Sequence, residues 1–388
     1  MKKFTRKILA LMVSMVLVGA DVALAGGPIA LFGSGTPYLW GGGTFATFPI
    51  PYLKDMGPLG PLTKAEADAL TDLSMTEWSS VPTSIFTASA AGDIPFDVDA
   101  TTAFAYLMTF HGAVIDVIYD HDGTICAFVF GCPPGVLGLG GPIFVGTMVP
   151  EIASGLVLMN GATIDPADVG GVAFRVVFSQ ESGHAMGLHH DQTNGAISFF
   201  ADNSAPTACP GVGLPTFADF TAMYPFASIS PGGPGADAAS IDHPEDLNSL
   251  SRFYSTAAYA SSTGTITGTV FLPDGVIPVN GVNVIARNVA SPFGDARSTV
   301  TGDLSFVAGD AFEGTFILTG LTPGASYTLA VDNIVAGAFP KPPAAPFTEE
   351  YWNGDLESND PAVDDPCDIA LITADAGAIF TANIILNP

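Results

Sequence analysis

The segment at residues 180–191, which reads QESGHAMGLHHD, constrains this chain more than any other part of its 388 residues. Positions 180 and 184 are one helical turn apart, so Gln180 and His184 share a helix face. Gly187 can adopt a positive φ and end that helix sharply. The turned chain then brings His190 back toward the same point. The spacing therefore predicts a helix and a turn that gather these side chains, with Glu181, in one site.

This segment resembles the zinc-binding signature of the metzincin peptidases, H-E-x-x-H-x-x-G-x-x-H-D. Glu181, His184, His190 and Asp191 match in register, and Gln180 stands where the first zinc-binding histidine is found. The resemblance implies a zinc endopeptidase in which His184 and His190 hold the metal. Glu181 would act as general base, taking a proton from an activated water and passing it to the leaving amine. Asp191 would support the site from outside.

The glutamine at position 180 leaves two interpretations open. A catalytic zinc ion normally has three protein ligands and a water, whereas an amide oxygen suits harder cations better than zinc. In the first interpretation zinc binds weakly, with Gln180, Asp191 or His189 completing the shell, and peptides are still hydrolysed. In the second, the chain is a non-catalytic pseudo-peptidase that binds a peptide or protein without cutting it.

Two downstream segments extend the resemblance. Residues 221–225 read TAMYP and resemble the family's Met-turn, which would put Met223 beneath the metal ligands. Residues 241–254 resemble the closing helix of matrixin-type domains. The resemblance covers about residues 63–258 and implies an α+β domain with a twisted sheet, one long helix that bears residues 180–186, and a closing helix.

The first 25 residues are typical of a secretory signal peptide. A basic start, MKKFTRK, is followed by an apolar run over residues 8–18 and by the small-x-small cleavage site Ala23-Leu24-Ala25. Later apolar runs are broken by Gly, Pro and Asp, so we expect no membrane span after signal cleavage. The pattern predicts a secreted or periplasmic protein.

The charge balance restricts the partners of the chain. It carries 11 Lys and Arg against 38 Asp and Glu, a formal net charge of −27. Removal of residues 1–25 takes away four basic and one acidic side chain, which makes the charge −30. Such a surface repels phosphate backbones and anionic lipid. We therefore expect no nucleic acid as partner, and the metzincin resemblance implies a peptide or protein instead.

Export permits disulfides among the four cysteines. Cys126 and Cys132 are close enough in sequence to clip one short loop. Cys209 and Cys367 would then pair with each other or stay free. Four cysteines allow three pairings, and the sequence does not choose between them.

Composition changes along the chain predict two domains after the signal peptide. Residues 26–62 are rich in Gly and Pro and are expected to form an extended leader. Residues 63–260 would form the metzincin-like domain, beginning with a helix whose first residues, Thr63 to Glu66, form a capping box. Apolar, β-branched runs at residues 114–119 and 156–159 predict strands. Residues 264–388 have an all-β pattern of short strands and Gly, Pro or Asp turns, which favours a sandwich.

The C-terminal region resembles the carboxypeptidase regulatory-like (transthyretin-like) sandwich domains. Residues 314–329 read GTFILTGLTPGASYTL, close to that family's G-x-F-x-I-x-G-L-x-P-G-x-Y pattern. Such domains usually bind, space or stabilise, so the resemblance implies no chemistry here.

Calcium is a further candidate ligand. Asp120 and Asp122 occupy alternate positions of a tight turn, as carboxylates do in calcium loops. A full loop with a Glu at position twelve is absent, which favours a plain acidic turn. The acidic segment at residues 353–365 carries the same two interpretations.

Overall fold

The computed structural model describes residues 27–195, 209–211, 213–216, 219–227, 229, 241–334, 337 and 341–388. The predicted signal peptide, residues 1–25, lies outside the described residues. Within those ranges no helix is long and apolar enough to cross a membrane. The chain is a mixture of helices and several sheets, with more strand than helix.

The N-terminal half, residues 27–262, is built around a five-stranded sheet. Its strands are β3 (Ile50–Lys54), β4 (Ala88–Asp93), β5 (Ile115–Asp120), β6 (Gly138–Val145) and β7 (Ile152–Asn160), in the order β4-β3-β5-β7-β6. Four of them run parallel, and the edge strand β6 pairs antiparallel with β7. A small antiparallel pair, β1 (Leu31–Gly33) and β2 (Thr36–Pro37), precedes this sheet.

Part of the predicted leader belongs to this sheet. The sequence predicts an extended leader up to residue 62, but β3 pairs with both β4 and β5 in the sheet. Tyr52 and Leu59 are buried in the same apolar core as the helices. The prolines around β3 make its sequence a poor predictor of a strand. This strand is stabilised by its two neighbouring strands rather than by its own propensity.

Helices lie on both faces of the sheet: Trp78 and Phe178 share the apolar core on one face, and Tyr106 belongs to a second core on the other. They are α1 (Lys64–Ser79), α2 (Ala103–Leu107), α3 (Arg175–Ala185), α4 (Pro244–Phe253) and α5 (Tyr259–Ser262), with short helical turns at Cys126–Phe130, Gly161–Thr163, Val169–Gly171 and Gly354–Leu356. The capping box of α1 is confirmed, because Thr63 Oγ1 accepts from Glu66 N and Glu66 Oε2 accepts from Thr63 N. Helix α1 packs on α3, where Trp78 Nε1 donates to Ser179 O over 2.8 Å.

The C-terminal half, residues 264–388, consists of two sheets around a separate core. Its strands are β8 (Gly264–Phe271), β9 (Asn283–Asn288), β10 (Ser291–Val300), β11 (Thr315–Leu321), β12 (Ser326–Asp332), β13 (Glu350–Tyr351), β14 (Ile372–Thr373), β15 (Ile379–Thr381) and β16 (Ile384–Ile385). One sheet has the order β10-β9-β12-β13 with β14 on β12, and the other has β11-β8-β15 with β16 on β8. Ile266 and Phe316 of one sheet share the core with Val284 and Leu329 of the other.

Two disulfides join the cysteines. Cys126 bonds to Cys132 within the N-terminal half, and Cys209 bonds to Cys367 in the C-terminal half. The second bond therefore connects the two halves of the chain. Helix α4 also packs against strands β10 and β11 across the same boundary.

Candidate functional site

Helix α3 carries the first group of predicted site residues. Gln180, Glu181 and His184 are 6%, 6% and 5% exposed, since α1 covers one side of the helix and β6 another. The strand comes this close because it lacks side chains there. A Cβ on Gly140 would lie 2.8 Å from the Cβ of His184, and one on Gly138 would lie 2.7 Å from the Cγ of Glu181.

The predicted sharp turn after this helix is confirmed. Gly187 has φ 92°, a conformation that residues with a Cβ rarely adopt. Its backbone N donates to His184 O over 2.9 Å, and the next residue, Leu188, donates to Gly183 O over 3.0 Å. These bonds close the last helical turn and reverse the chain toward His190.

The turn brings two imidazoles together. Nε2 of His184 and Nε2 of His190 lie 3.1 Å apart. His184 Nδ1 donates to Leu188 O over 2.9 Å, so in the neutral ring Nε2 carries the lone pair. Burial lowers the pKa of His184 to about 4, which keeps that ring neutral at neutral pH. His184 Nε2 therefore accepts from His190 Nε2, and binding of a metal would require that proton to leave.

His189 joins the same cluster rather than facing away from it. Its ring centroid lies 4.9 Å from that of His190 and 5.5 Å from that of His184. Its Nδ1 accepts from the backbone N of His190 over 2.6 Å, which orients the ring. Burial lowers its pKa well below the usual range, so this ring is also neutral.

The two imidazoles fit two corners of a zinc site. Nitrogen ligands on one tetrahedral zinc ion, each about 2.05 Å from it, lie about 3.3 Å apart, close to the 3.1 Å found here. The third corner of such a site is not filled by an imidazole. Gln180 lies there, and its Nε2 donates to Tyr224 O over 3.0 Å. Among the residues described above, no group of three or more His, Cys, Asp or Glu is arranged to hold a metal ion. The site therefore offers two strong ligands and one amide.

Glu181 occupies a dry position between α3 and β6. Burial raises the pKa of its carboxyl to about 8. A carboxyl in such a site holds its proton near neutral pH unless a cation lies beside it. The group therefore suits proton transfer only when positive charge enters the site.

The floor of the site is a turn that contains Met223. A Cβ on Gly183 would lie 2.5 Å from Met223 Sδ, so the sulfur packs directly on α3. The turn is fixed by Asp246 of α4, whose carboxylate accepts from the backbone N of Ala222 and of Met223 over 2.9 and 3.1 Å. Asp191 N in turn donates to Met223 O over 3.0 Å.

Three carboxyls are buried below this floor. Asp191 Oδ1 accepts from Thr221 Oγ1 over 2.8 Å, which ties the residue after His190 to the turn. Burial raises the pKa of Asp191, of Asp246 and, to about 8, of Glu245. The pKa of Asp246 is raised further by the neighbouring Asp191. Asp191 thus contacts the Met223 turn through its backbone N and through Oδ1, and a role in supporting a metal site stays a prediction.

A short N-terminal strap, residues 27–29, pairs with the turn from the other side. Ile29 N donates to Gly187 O over 2.9 Å, and His189 N donates to Gly27 O over 3.1 Å. The backbone on both sides of Leu188 is therefore held by the segment that begins the described chain.

The predicted calcium residues lie apart from this cluster, in the turn after β5. Asp120 accepts from the backbone N of Ile125 and of Cys126 over 3.1 and 2.8 Å. Asp122 accepts from Thr124 N and Thr124 Oγ1 over 3.1 and 2.6 Å. These bonds are those of a self-capped acidic turn, and a calcium ion there stays a prediction.

Several residues that shape the site were missed in the sequence. Tyr224 acts through its backbone carbonyl, and Asp246 acts through bonds to the backbone of the Met223 turn. No local sequence pattern predicts either contact. The alternation in residues 138–141, GLGG, was a usable clue, because glycines inside a strand mark close backbone approach.

Comparisons with known proteins leave the family open. No protein-family model matches the chain, and no curated protein matches it. Among solved structures, the chain is 19% identical to the dioxygenase domain of a dioxygenase carbohydrate-binding protein fusion from Streptomyces sp. SirexAA-E. That match covers 34% of this chain and 84% of the other, with a TM-score of 0.18. A likeness at this level carries no argument about fold or function.

Proposed function

We propose that the N-terminal half is a metzincin-like zinc peptidase domain with a weakened metal shell, which hydrolyses peptide bonds. The observation that carries this proposal is the 3.1 Å approach of His184 Nε2 and His190 Nε2 at the glycine-ended helix. Met223 packed on Gly183 supports it, because the sequence resemblance requires a methionine beneath the ligands. His184 and His190 would hold the ion, with the Gln180 amide beside them.

The residues around the pair suit the reaction. Zinc, when bound, polarises a carbonyl oxygen and acidifies water. Glu181 would then lose its proton to solvent, accept one from the attacking water and deliver it to the leaving amine. Strand β6 pairs only with β7 in the described sheet. Its other edge would offer backbone groups to an extended peptide.

A second candidate function is binding without cleavage. The observation that favours it is the bond from Gln180 Nε2 to Tyr224 O, which engages the amide and leaves two imidazoles for a metal. In this case the same groove would hold a peptide or protein, and Glu181 would stay protonated.

Cleavage that depends on both metal and Glu181 separates the two functions. The purified chain would be assayed for zinc content and for hydrolysis of a peptide library, with and without a chelator. For a peptidase, we expect chelator-sensitive hydrolysis that falls by about 100-fold or more in Glu181→Gln, the usual contribution of a general base. Glu151→Gln is the control, because this buried carboxylate accepts from Thr44 N and Phe45 N and lies outside the cluster.

Either of two results would reject catalysis: hydrolysis that Glu181→Gln does not reduce, or the absence of any chelator-sensitive hydrolysis in the native chain. The second result, together with saturable peptide binding, would establish the binding function instead.

We further propose that the protein is secreted or periplasmic and that its C-terminal half is a sandwich of the carboxypeptidase regulatory-like type. The signal-peptide pattern and the two disulfides support export. Two facing sheets that share one apolar core support the sandwich. The excess of acidic residues favours a peptide or protein partner over nucleic acid.

A further inference from the structure

The loop that carries His190 continues into the boundary between the two halves. We call residues 187–194 the site loop. Its last residues contact strands β9 and β10 of the C-terminal half rather than the N-terminal sheet. The contacts begin at Gln192, two residues after the imidazole.

Arg287 of β9 makes a two-point contact with this loop. Its Nη2 donates to Thr193 O over 2.6 Å, and its Nη1 donates to Asn194 Oδ1 over 2.7 Å. The side chain belongs to a residue that is only 3% exposed, and burial lowers its pKa to about 10, so it remains charged at neutral pH. A planar guanidinium can span two acceptors in a fixed geometry, which an ammonium group cannot.

Ser298 of β10 holds the residues nearer to the imidazole. Its Oγ accepts from Gln192 N over 3.0 Å and lies 3.1 Å from Thr193 Oγ1. Its backbone N donates to Glu245 Oε1 over 3.3 Å, at the start of α4. Ser298 therefore connects the site loop with the helix whose Asp246 fixes the Met223 turn.

The anchoring strands are themselves rigid. β9 lies between β10 and β12, with Arg287 paired to Ala296 on one side and to Thr328 on the other. Asn194 Nδ2 donates to Phe293 O over 3.0 Å, which adds a bond from the loop to the β10 strand. Two well-paired strands that present the Arg287 guanidinium and the Ser298 hydroxyl are a suitable support for a loop that must keep one conformation.

We propose that the C-terminal half positions the site loop, with Arg287 and Ser298 holding it so that His190 faces His184. This assigns the second half a role in the site rather than one as a spacer. Its relevance to metal binding rests on the function proposed above, whereas the positioning itself can be measured without a metal.

The test uses the full chain and the variants Arg287→Lys and Ser298→Ala. Arg287→Lys keeps the positive charge but loses the planar guanidinium that spans two acceptors. We expect amide hydrogen exchange in a peptide covering residues 189–194 to become at least about 10-fold faster, since exchange reports local opening. We expect zinc affinity to fall by about 10-fold or more, as it does when outer supports of a metal site are lost. Ser298→Ala should likewise speed amide exchange in this peptide and lower zinc affinity.

Arg297→Lys is the matched control. Arg297 is a buried arginine of the neighbouring strand β10. Its guanidinium donates to Ala296 O and Gly320 O and pairs with Asp295 over 3.1 Å and Glu245 over 4.0 Å, and it makes none of the bonds to the site loop given above. This variant should leave loop exchange and zinc affinity within about twofold of the native chain.

Loop exchange within twofold of native in both Arg287→Lys and Ser298→Ala would overturn the positioning role. An equal acceleration in Arg297→Lys would do the same, because it would indicate a general loosening of the boundary. If the native chain binds no zinc, the proposed function fails, while faster exchange confined to the two loop variants still supports the positioning.

Discussion

The two parts of the candidate site are held by different kinds of contact. Gln180, Glu181 and His184 lie on one helix, so their relative positions follow from helix geometry alone. His190 and Asp191 lie on the site loop, which is held by residues far away in sequence. Arg287, for example, bonds to Asn194 across a separation of 93 residues.

This difference shows where the site tolerates change. The helix part can change a side chain, for example at position 180, and still keep its backbone, because α1 and β6 hold α3. The loop part makes short bonds within itself, such as Thr193 N to Asp191 Oδ1, and it is also held by the strap, the Met223 turn and the C-terminal half. We therefore expect substitutions on the helix to change the chemical groups of the site, and substitutions on the loop to change its conformation.

The largest expected effect is on the helix, from Gln180→His. The new imidazole would share a face with His184 and supply the missing third ligand. Loss of an outer support alone changes metal affinity by about 10- to 100-fold, so gain of a direct ligand should raise zinc affinity by more than about 100-fold. Competition against a chelator of known affinity measures this.

Gln180→Met serves as the control, because it removes the bond to Tyr224 O without adding an imidazole. Zinc affinity that is unchanged or lower in Gln180→His would contradict the idea that position 180 weakens the metal shell.

A smaller effect is expected from Gly183→Ala, which tests the contact between the helix and the floor. The added Cβ would lie 2.5 Å from Met223 Sδ and 3.0 Å from Trp78 Cζ2. Overpacking of this kind costs about 1–3 kcal/mol, which should exceed the gain from replacing glycine in a helix. Urea unfolding gives the change in the free energy of unfolding.

Gly33→Ala is the comparison for that measurement, since a Cβ there meets nothing within 4 Å. Equal stability of the two variants would mean that the sulfur is not packed on the helix.

The third expected effect is a pH dependence of stability that comes from Glu245, a buried carboxyl below the site loop. The folded-state pKa of Glu245 is raised to about 8, above its ordinary value of 4.5, so the folded chain holds a proton that the unfolded chain releases. Stability from this group is present below pH 4.5 and is lost as pH rises toward 8. In Glu245→Gln, the fall of unfolding free energy with pH should become shallower by about 1 kcal/mol per pH unit.

Thermal unfolding between pH 5 and 8 checks this difference. Glu350→Gln should flatten the curve in the same direction, because burial also raises the pKa of that carboxyl to about 8. Unfolding free energy that falls with pH as steeply in Glu245→Gln as in the native chain would contradict the assignment.

The local parts of the structure could be predicted from the sequence. The capping box at Thr63, the β-branched run of β5 and the turn at Gly187 depend on neighbouring residues, and each lies where the pattern indicates. Most strands of the C-terminal half also follow their apolar runs. This half ends in two short strands, β15 and β16, which both pair parallel with β8.

The remaining parts depend on contacts between distant segments. Strand β6 reads GLGGPIFV, a poor strand sequence on propensity, and it exists because its glycines fit against α3. Strand β10 contains Gly294 and Asp295 and was likewise missed. The engagement of Gln180 with Tyr224 O and the anchoring of the loop by Arg287 have no local signature, so only the structure reveals them.

The Cys209–Cys367 bond has a consequence for what proteolysis does to the molecule. These cysteines are 158 residues apart in sequence, and the covalent ring that they close includes the short connection between the two halves. A foreign protease that makes one cut within that ring leaves a single bonded molecule. The disulfide would hold the two fragments of the cut chain together, so that their non-covalent contacts could form again.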